Sequence, residues 1–198
     1  MSAPLVMPTE AVSSVTRTLR AATTMEMSPF TFAQQSQDWG GRMWVYEFDM
    51  KVTQGREGQI LSRFFDQLGG VTGRFLWIDQ ALPRVTAEEP LVDGAGQTGA
   101  SLLVKGCTPS TTVLTDGDFF SIGTGFETRL YRVDQDIVSD ETGAATVTFF
   151  PALRISPADE SPLELASPSV LLRLTRPVPA DIRPADIYRF TVQAQEAL

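Results

Sequence analysis

Three glycines within five positions are the first candidate for chemistry in this chain. They lie in RFFDQLGGVTGRFLWID (residues 63–79), where Gly69, Gly70 and Gly73 separate two runs rich in aromatic residues. Phosphate-binding glycine loops lead from a strand into the N-terminus of a helix, where free N–H groups meet the anion. Here the glycines follow a helical pattern, and no Gly-Lys-Ser or Gly-Lys-Thr triplet occurs. The spacing therefore predicts a structural turn, with Gly69 ending the helix.

Two other segments match ligand-binding loops only in part. FSIGTGFET (120–128) contains Gly-x-Gly, but Thr128 stands where a dinucleotide fingerprint needs its third glycine, and no helical pattern follows. In DQDIVSDETG, Asp134 and Asp136 fit the first two ligand positions of a calcium loop, but Val138 takes the third. We interpret both segments as hairpin turns, with the carboxylates facing solvent.

Paired acids and the single cysteine are the remaining candidates for catalysis. Glu88 and Glu89, or Asp116 and Asp118, are pairs of the kind that hydrolyse glycosides. Neighbouring acids in an acidic chain are usually solvated, however, and nothing in the sequence indicates that the pKa values of these carboxyl groups are perturbed. Cys107 reacts only as a thiolate, and without a histidine we expect it to be a small core or rim residue. We therefore predict that the protein is not an enzyme, and we assign no catalytic, metal-binding or cofactor-binding residue.

The composition excludes several classes of function. The 198 residues include no histidine, which removes Ser-His-Asp and Cys-His nucleophiles and every histidine-bound metal. The net charge of −8 is the opposite of what nucleic-acid phosphates or anionic membranes attract. One cysteine cannot form an intrachain disulfide, and no long uncharged apolar run predicts a membrane span. We expect neither a membrane partner nor specific nucleic-acid binding.

The clearest structural elements surround the glycines. Alternating apolar and charged residues in WVYEFDMKV (44–52) predict a half-buried strand, which follows a turn at Gly40-Gly41. Thr53 is the expected cap of a helix over about residues 55–69. The apolar stripe of that helix comprises Ile60, Leu61, Phe64, Phe65 and Leu68. RFLWID then resumes a strand, whereas residues 1–30 are expected to form an extended arm or a first pair of edge strands.

Short strands dominate the rest of the chain. After a Pro-, Gly- and acid-rich crossing near residue 80, five short strands follow one another: SLLVKG, TTVL, DFFSIG, RLYRVDQDIV and ATVTFF. TDGD (115–118) and DETG (140–143) are expected hairpin turns between them. This pattern predicts a small OB- or SH3-like β-barrel. A proline-rich loop (151–170), a strand in VLLRLTRPV and one final strand in IYRFTVQAQEAL complete the chain.

Aromatic residues are concentrated around the predicted Gly40-Gly41 turn. Such clusters often form protein–protein contacts, although core packing is the commoner use of tryptophan. We name five candidate residues for a subunit interface: Phe30, Phe32, Trp39, Arg42 and Trp44.

Several segments resemble distal tail proteins of long-tailed bacteriophages. FDMKVTQGREGQILSRFFDQLGGVTGRFLWID is similar to the strand–helix–strand unit of that family, in which an aromatic pair (Phe64-Phe65) leads through a glycine turn into a Gly-x-Phe strand (residues 73–75). GDFFSIGTGFETRLYRVDQDIVSDETGAATVTFFPALR (117–154) resembles a recurrent piece of phage tail proteins. The terminal YRFTVQAQEAL is similar to the closing strand of the family.

This resemblance implies a mainly β (α+β) fold with two parts. Residues 1–80 and 160–198 would form a β-sandwich-like ring domain with one α-helix at about 55–69, and residues 86–156 an inserted OB- or SH3-like β-barrel. The implied function is structural: a homohexameric ring at the virion tail tip that joins the tail tube protein to hub or baseplate proteins. DNA would pass through its lumen, and no cofactor is implied.

Other interpretations stay open at this stage. The barrel is alternatively a carbohydrate- or host-receptor-binding tail module. A third hypothesis is an acid-catalysed cell-wall hydrolase that uses Glu88 and Glu89. The resemblance also extends to tail-like particles such as gene transfer agents.

Overall fold

The computed structural model describes residues 3–79 and 89–198. Within these ranges the chain is mainly β with one α-helix, α1 (Arg56–Gln67), which confirms the predicted fold class. In chain order the strands of the described residues are β1 (Leu5–Val6), β2 (Val12–Met27), β3 (Gln34–Met50), β4 (Thr53–Gln54), β5 (Phe75–Ile78), β6 (Leu91–Val92), β7 (Ser101–Lys105), β8 (Thr112–Leu114), β9 (Phe119–Ile122), β10 (Arg129–Val133), β11 (Ile137–Val138), β12 (Ala145–Phe150), β13 (Leu163–Glu164), β14 (Ser169–Leu174), β15 (Asp181–Arg183), β16 (Ile187–Arg189) and β17 (Thr191–Glu196).

The first large sheet has six strands in the order β1-β5-β14-β17-β3-β2. The alternation predicted for β3 is present, because Trp44, Tyr46, Phe48 and Met50 are buried whereas Glu47 and Asp49 are exposed. Helix α1 packs on the apolar face of the sheet through four of the five predicted apolar residues, which are Leu61, Phe64, Phe65 and Leu68, whereas Ile60 is exposed. The Phe64 ring lies 6.0 Å from Phe75 and the Phe65 ring 5.5 Å from Phe190.

The two ends of α1 differ in how well the sequence predicts them. Gly69 adopts the left-handed conformation (φ 61°, ψ 39°) that a helix stop requires, and its N–H donates to the Asp66 carbonyl at 3.1 Å. The predicted Thr53 cap is wrong, because Gly55 occupies the N-cap position without any side-chain hydrogen bond. Thr53 instead pairs with Tyr188 of β16, a partner that is distant in sequence.

The second large sheet forms a nearly closed barrel, in agreement with the predicted small barrel. Its six strands have the order β13-β9-β10-β12-β7-β6. Backbone hydrogen bonds join the two end strands, from Leu163 N to Pro90 O at 2.9 Å and from Val92 N to Ser161 O at 2.9 Å. The interior is apolar and includes Val92, Leu102, Val104, Phe120, Tyr131, Val147, Phe149, Leu163 and Leu165.

One predicted hairpin turn and two predicted strands differ from the structure. TDGD joins strands of different sheets and is not a hairpin turn, because β8 pairs with β11 in a separate two-stranded sheet. DETG is a tight reversal, in which the Asp140 N–H donates to the Ala144 carbonyl at 2.8 Å and the Gly143 N–H donates to the Asp140 carbonyl at 3.2 Å. The predicted RLYRVDQDIV strand is divided into β10 and β11. The expected final strand is likewise divided into β16 and β17, which belong to different sheets. By contrast, residues 120–128 do contain a hairpin turn, since β9 and β10 pair from Ile122 and Arg129 onward.

The two apolar cores share strands of the barrel. Phe119 of β9 and Leu130 of β10 pack into the core of the first sheet, while their neighbours Phe120 and Tyr131 pack inside the barrel. Successive residues of a strand point to opposite faces, so β9 and β10 serve both cores at once.

We expect Gly73→Ala to destabilise the fold by about 3 kcal/mol, because a Cβ at this position would overlap the carbonyl group of Leu68. Gly96→Ala is the control, since its Cβ would meet open space and only the positive φ opposes it, at about 1 kcal/mol. Urea unfolding of both variants measures the difference. Equal loss of stability in the two variants would contradict the packing argument.

Candidate functional site

A long hairpin made by β2 and β3 extends beyond the first sheet. The two strands pair from Val12↔Met50 to Met27↔Gln34, whereas β17 pairs with β3 only over Val45–Asp49. We call residues 22–41 the arm. Every residue of the arm is exposed except Ser28, which is half-buried. The arm is therefore a two-stranded ribbon at the edge of the sheet, without a third strand beside it among the described residues.

The predicted turn at Gly40-Gly41 is a bulge inside the arm. Pairing passes from Ala21↔Arg42 to Thr23↔Asp38, so three residues of β3 stand opposite one residue of β2. Gly40 takes a positive φ of 75°, and its N–H donates to the Asp38 carboxylate at 2.8 Å. This local hydrogen bond stabilises a bulge and not a reversal, which explains why the prediction was wrong.

The ion pair between Asp38 and Arg42 closes the bulge. The guanidinium donates to both carboxylate oxygens of Asp38, at 2.9 and 2.6 Å. The hydrogen bond from Arg42 and then that from Gly40 hold the pKa of Asp38 well below its ordinary value. Both groups are solvent-exposed, so the pair orders the bulge locally and adds little to the free energy of unfolding.

The chain reverses at the tip of the arm, between Ser28 and Ala33. The Ser28 N–H donates to the Ala33 carbonyl at 2.9 Å, and the Phe32 N–H donates to the Ser28 carbonyl at 2.9 Å. Phe32 has a φ of 57°, a left-handed conformation that costs a bulky side chain about 1 kcal/mol. An aromatic residue thus occupies a position where glycine would be less strained.

The arm presents large apolar side chains to solvent. Phe30 is 91% exposed, Phe32 70% and Trp39 69%, so three of the five predicted interface residues lie on the arm. Met25 and Met27 are also exposed and share one face of the ribbon. Neither methionine is among the residues predicted for an interface, although their alternation with Thr24 and Glu26 is a signal of a strand. Exposed apolar patches of this kind mark interaction sites.

Trp44 differs from the other predicted interface residues. It is only 3% exposed, and its indole Nε1–H donates to the Leu130 carbonyl of the barrel at 3.0 Å. Its ring lies 5.8 Å from that of Phe119. Trp44 therefore packs within the chain, where the first sheet meets the barrel, and does not belong to the exposed surface of the arm.

The root of the arm is held by an ion pair between a half-buried arginine and a buried carboxylate. The Arg154 guanidinium donates to the Arg42 carbonyl and lies 3.5 Å from the Glu196 carboxylate. That carboxylate also accepts a hydrogen bond from the Trp44 backbone N–H at 3.3 Å. Above this pair, a cleft of about 490 Å³ is lined by Arg20, Arg42, Arg154 and Trp39, among others.

The other candidate residues from the sequence have structural partners. Asp136 accepts a hydrogen bond from the Asp116 N–H at 2.8 Å, and Asp118 accepts one from the Thr115 N–H at 2.7 Å. Asp134 accepts from the Thr148 hydroxyl, and Cys107 is buried. Glu88 lies outside the described residues.

The described ranges contain neither a cluster of metal ligands nor a helix that could span a membrane. No three His, Cys, Asp or Glu side chains are grouped there so that they could hold a metal ion. The described helix is too short and too polar to cross a membrane.

Comparison of the chain with models of known protein families and with curated proteins finds no match.

We expect the free energy of unfolding to depend on the protonation of Glu196. Burial raises the pKa of its carboxyl above the ordinary value, against a smaller opposing effect of Arg154. The folded chain then holds a proton at pH values where the unfolded chain has lost it, so this group contributes stability that is lost as pH rises through the raised pKa. Urea unfolding at several pH values should show wild type gaining stability relative to Glu196→Gln as the pH falls below neutral. A difference that is independent of pH would contradict this prediction.

Proposed function

We propose that this protein is a structural subunit of a ring at the distal end of the tail tube of a long-tailed bacteriophage or a related tail-like particle. There it would connect the tail tube protein to the hub or baseplate proteins. The resemblance of residues 42–79, 117–154 and 188–198 to distal tail proteins supports this proposal, and the mainly β fold with one helix and a barrel is compatible with it.

The exposed apolar surface of the arm is the observation that carries the proposal. A two-stranded ribbon is only marginally stable in water by itself. Each aromatic side chain that a neighbouring copy covers contributes roughly 25 cal/mol per Å² of apolar area buried. The strained backbone of Phe32 further favours a role for its ring, because strain of this kind persists where function requires it.

The position of the arm is compatible with a ring. The arm projects from one edge of the first sheet, so each copy can place its arm on the next copy in one direction. Head-to-tail contacts of this kind are heterologous and generate a closed ring when the rotation between copies closes, whereas reciprocal exchange of arms between two copies would give a dimer. Six copies of the 21.6 kDa chain, the number that the resemblance implies, would have a mass of about 130 kDa.

We expect the double variant Phe30→Ser, Phe32→Gly to lose self-association without losing thermal stability. The change removes two aromatic rings that contact nothing in the core, and glycine relieves the left-handed φ at position 32. Light scattering coupled to size-exclusion chromatography should give about 130 kDa for the wild type at high concentration. The variant should remain at the 21.6 kDa of one chain.

The matched control is Ile182→Ser, which removes an exposed apolar side chain on β15, away from the arm. This control should assemble like the wild type. If the double variant also assembled like the wild type, the arm would not be the contact. A wild-type chain that stays monomeric at every concentration, alone and with purified tail tubes, would overturn the ring proposal.

A further inference from the structure

The mouth of the barrel contains a buried arginine. Residues of β10 alternate between the two faces of the strand, so that Arg129, Tyr131 and Val133 share the face that points into the barrel. Tyr131 and Val133 belong to the apolar interior. Arg129 stands at the end of this row and is 6% exposed. A guanidinium, which is always charged, therefore closes the row of core side chains.

Arg129 lacks a direct anionic partner. Its Nη1 donates to the backbone carbonyls of Phe126 and Thr128, at 3.2 and 2.8 Å, and its buried Nε has no hydrogen-bond partner. Among the described residues, the ion pairs of this region join Arg154 to Glu196 and leave Arg129 outside. A buried charge without a counterion is costly, which makes this position unusual for a purely structural arginine.

The carboxylate whose pKa the charge of Arg129 affects is already paired with Arg154. Glu196 is paired with Arg154 at 3.5 Å, and the charge of Arg129 also acts on it and lowers its pKa slightly against the effect of burial. These three side chains together carry one positive charge in excess, and the exposed carboxylate of Glu127 at the same cleft opposes it. The site therefore matches a monoanion better than it matches a doubly charged phosphate.

A cleft of about 200 Å³ opens beside Arg129. One wall comes from the β9–β10 connection, with Thr124 and Glu127, and the other from residues 153–162, which contribute Leu153, Ile155 and Pro157. This volume is smaller than that of pockets for drug-sized ligands, so the cleft suits one small organic molecule and not an oligosaccharide. Mouths of β-barrels are frequent ligand sites, and this cleft combines a buried cation with an apolar wall.

We propose that this cleft binds a small carboxylate-bearing molecule of the size of a single sugar acid, with the carboxylate facing Arg129. Arginine pairs with carboxylates through parallel hydrogen bonds. The apolar side chains of residues 153–157 would cover the body of the ligand. The exposed carboxylate of Glu127 at the rim disfavours a second negative charge. The site is independent of the arm and of the proposed ring.

Titration of the full chain with glucuronate, glucose and inorganic phosphate tests this proposal, with NMR chemical shifts as the readout. We expect saturable binding of glucuronate in the millimolar range that a single charge-assisted contact provides, shifts clustered around residues 124–131, and no binding of glucose. Arg129→Met should abolish binding. Glu127→Gln, at an exposed position that leaves folding unaffected, should tighten binding several-fold by removing the repulsion at the rim.

The alternative outcomes would overturn the assignment. Absence of saturable glucuronate binding to the wild type, equal binding of glucose, or tighter binding of phosphate would each exclude a carboxylate site. If Arg129→Met fails to fold, Glu127→Gln decides, because unchanged or weaker affinity in that variant contradicts the proposal. None of these results bears on the ring, since the arm variants test self-association separately.

Discussion

The packing of Trp44 between the first sheet and the barrel is the contact on which the rest of the structure depends. Its backbone N–H donates to Glu196 of β17, and its indole N–H donates to the Leu130 carbonyl of β10. The Arg17 guanidinium lies over both Trp44 and Phe119, with 5.8 and 4.1 Å between its central carbon and the ring centroids. One residue thus joins β3, β17 and the barrel, through its backbone N–H and its indole ring. Buried aromatic residues supply large apolar area and a polar handle at once, which suits such a joint.

The arm begins where this anchoring ends. From Val45 to Asp49 the strand β3 is paired on both sides, and the apolar face of β3 from Trp44 to Met50 is buried. Within the part of the chain that the structure describes, residues 22–41 pair only with each other. The bulge closed by Asp38 and Arg42 lies at this transition and places Trp39 in solvent. A firmly held root and an exposed apolar tip are the properties expected of an element that contacts another molecule.

Local patterns predicted much of the fold correctly. The alternation along β3, the apolar stripe of α1, the glycine stop at Gly69 and the short strands of the barrel follow from backbone periods and turn chemistry. Two of the failures share one cause, which is pairing with a distant segment. Thr53 pairs with Tyr188 and does not cap α1, and β8 pairs with β11 and not with β9, the strand that follows TDGD. The outer half of β2 lacks a buried face, so only the short alternation of Met25 and Met27 with Thr24 and Glu26 marks it as a strand.

The sequence by itself determined the mainly β character, the helix that the described residues contain, and which kinds of chemistry are excluded because the chain has no histidine. It placed most of the exposed aromatic residues among the interface candidates. Only the tertiary structure decided that Trp39 is exposed while Trp44, five residues later, is buried, because burial depends on which strands meet. The same holds for Arg129, whose lack of a counterion is visible only once Glu196, far away in sequence, is seen to pair with Arg154.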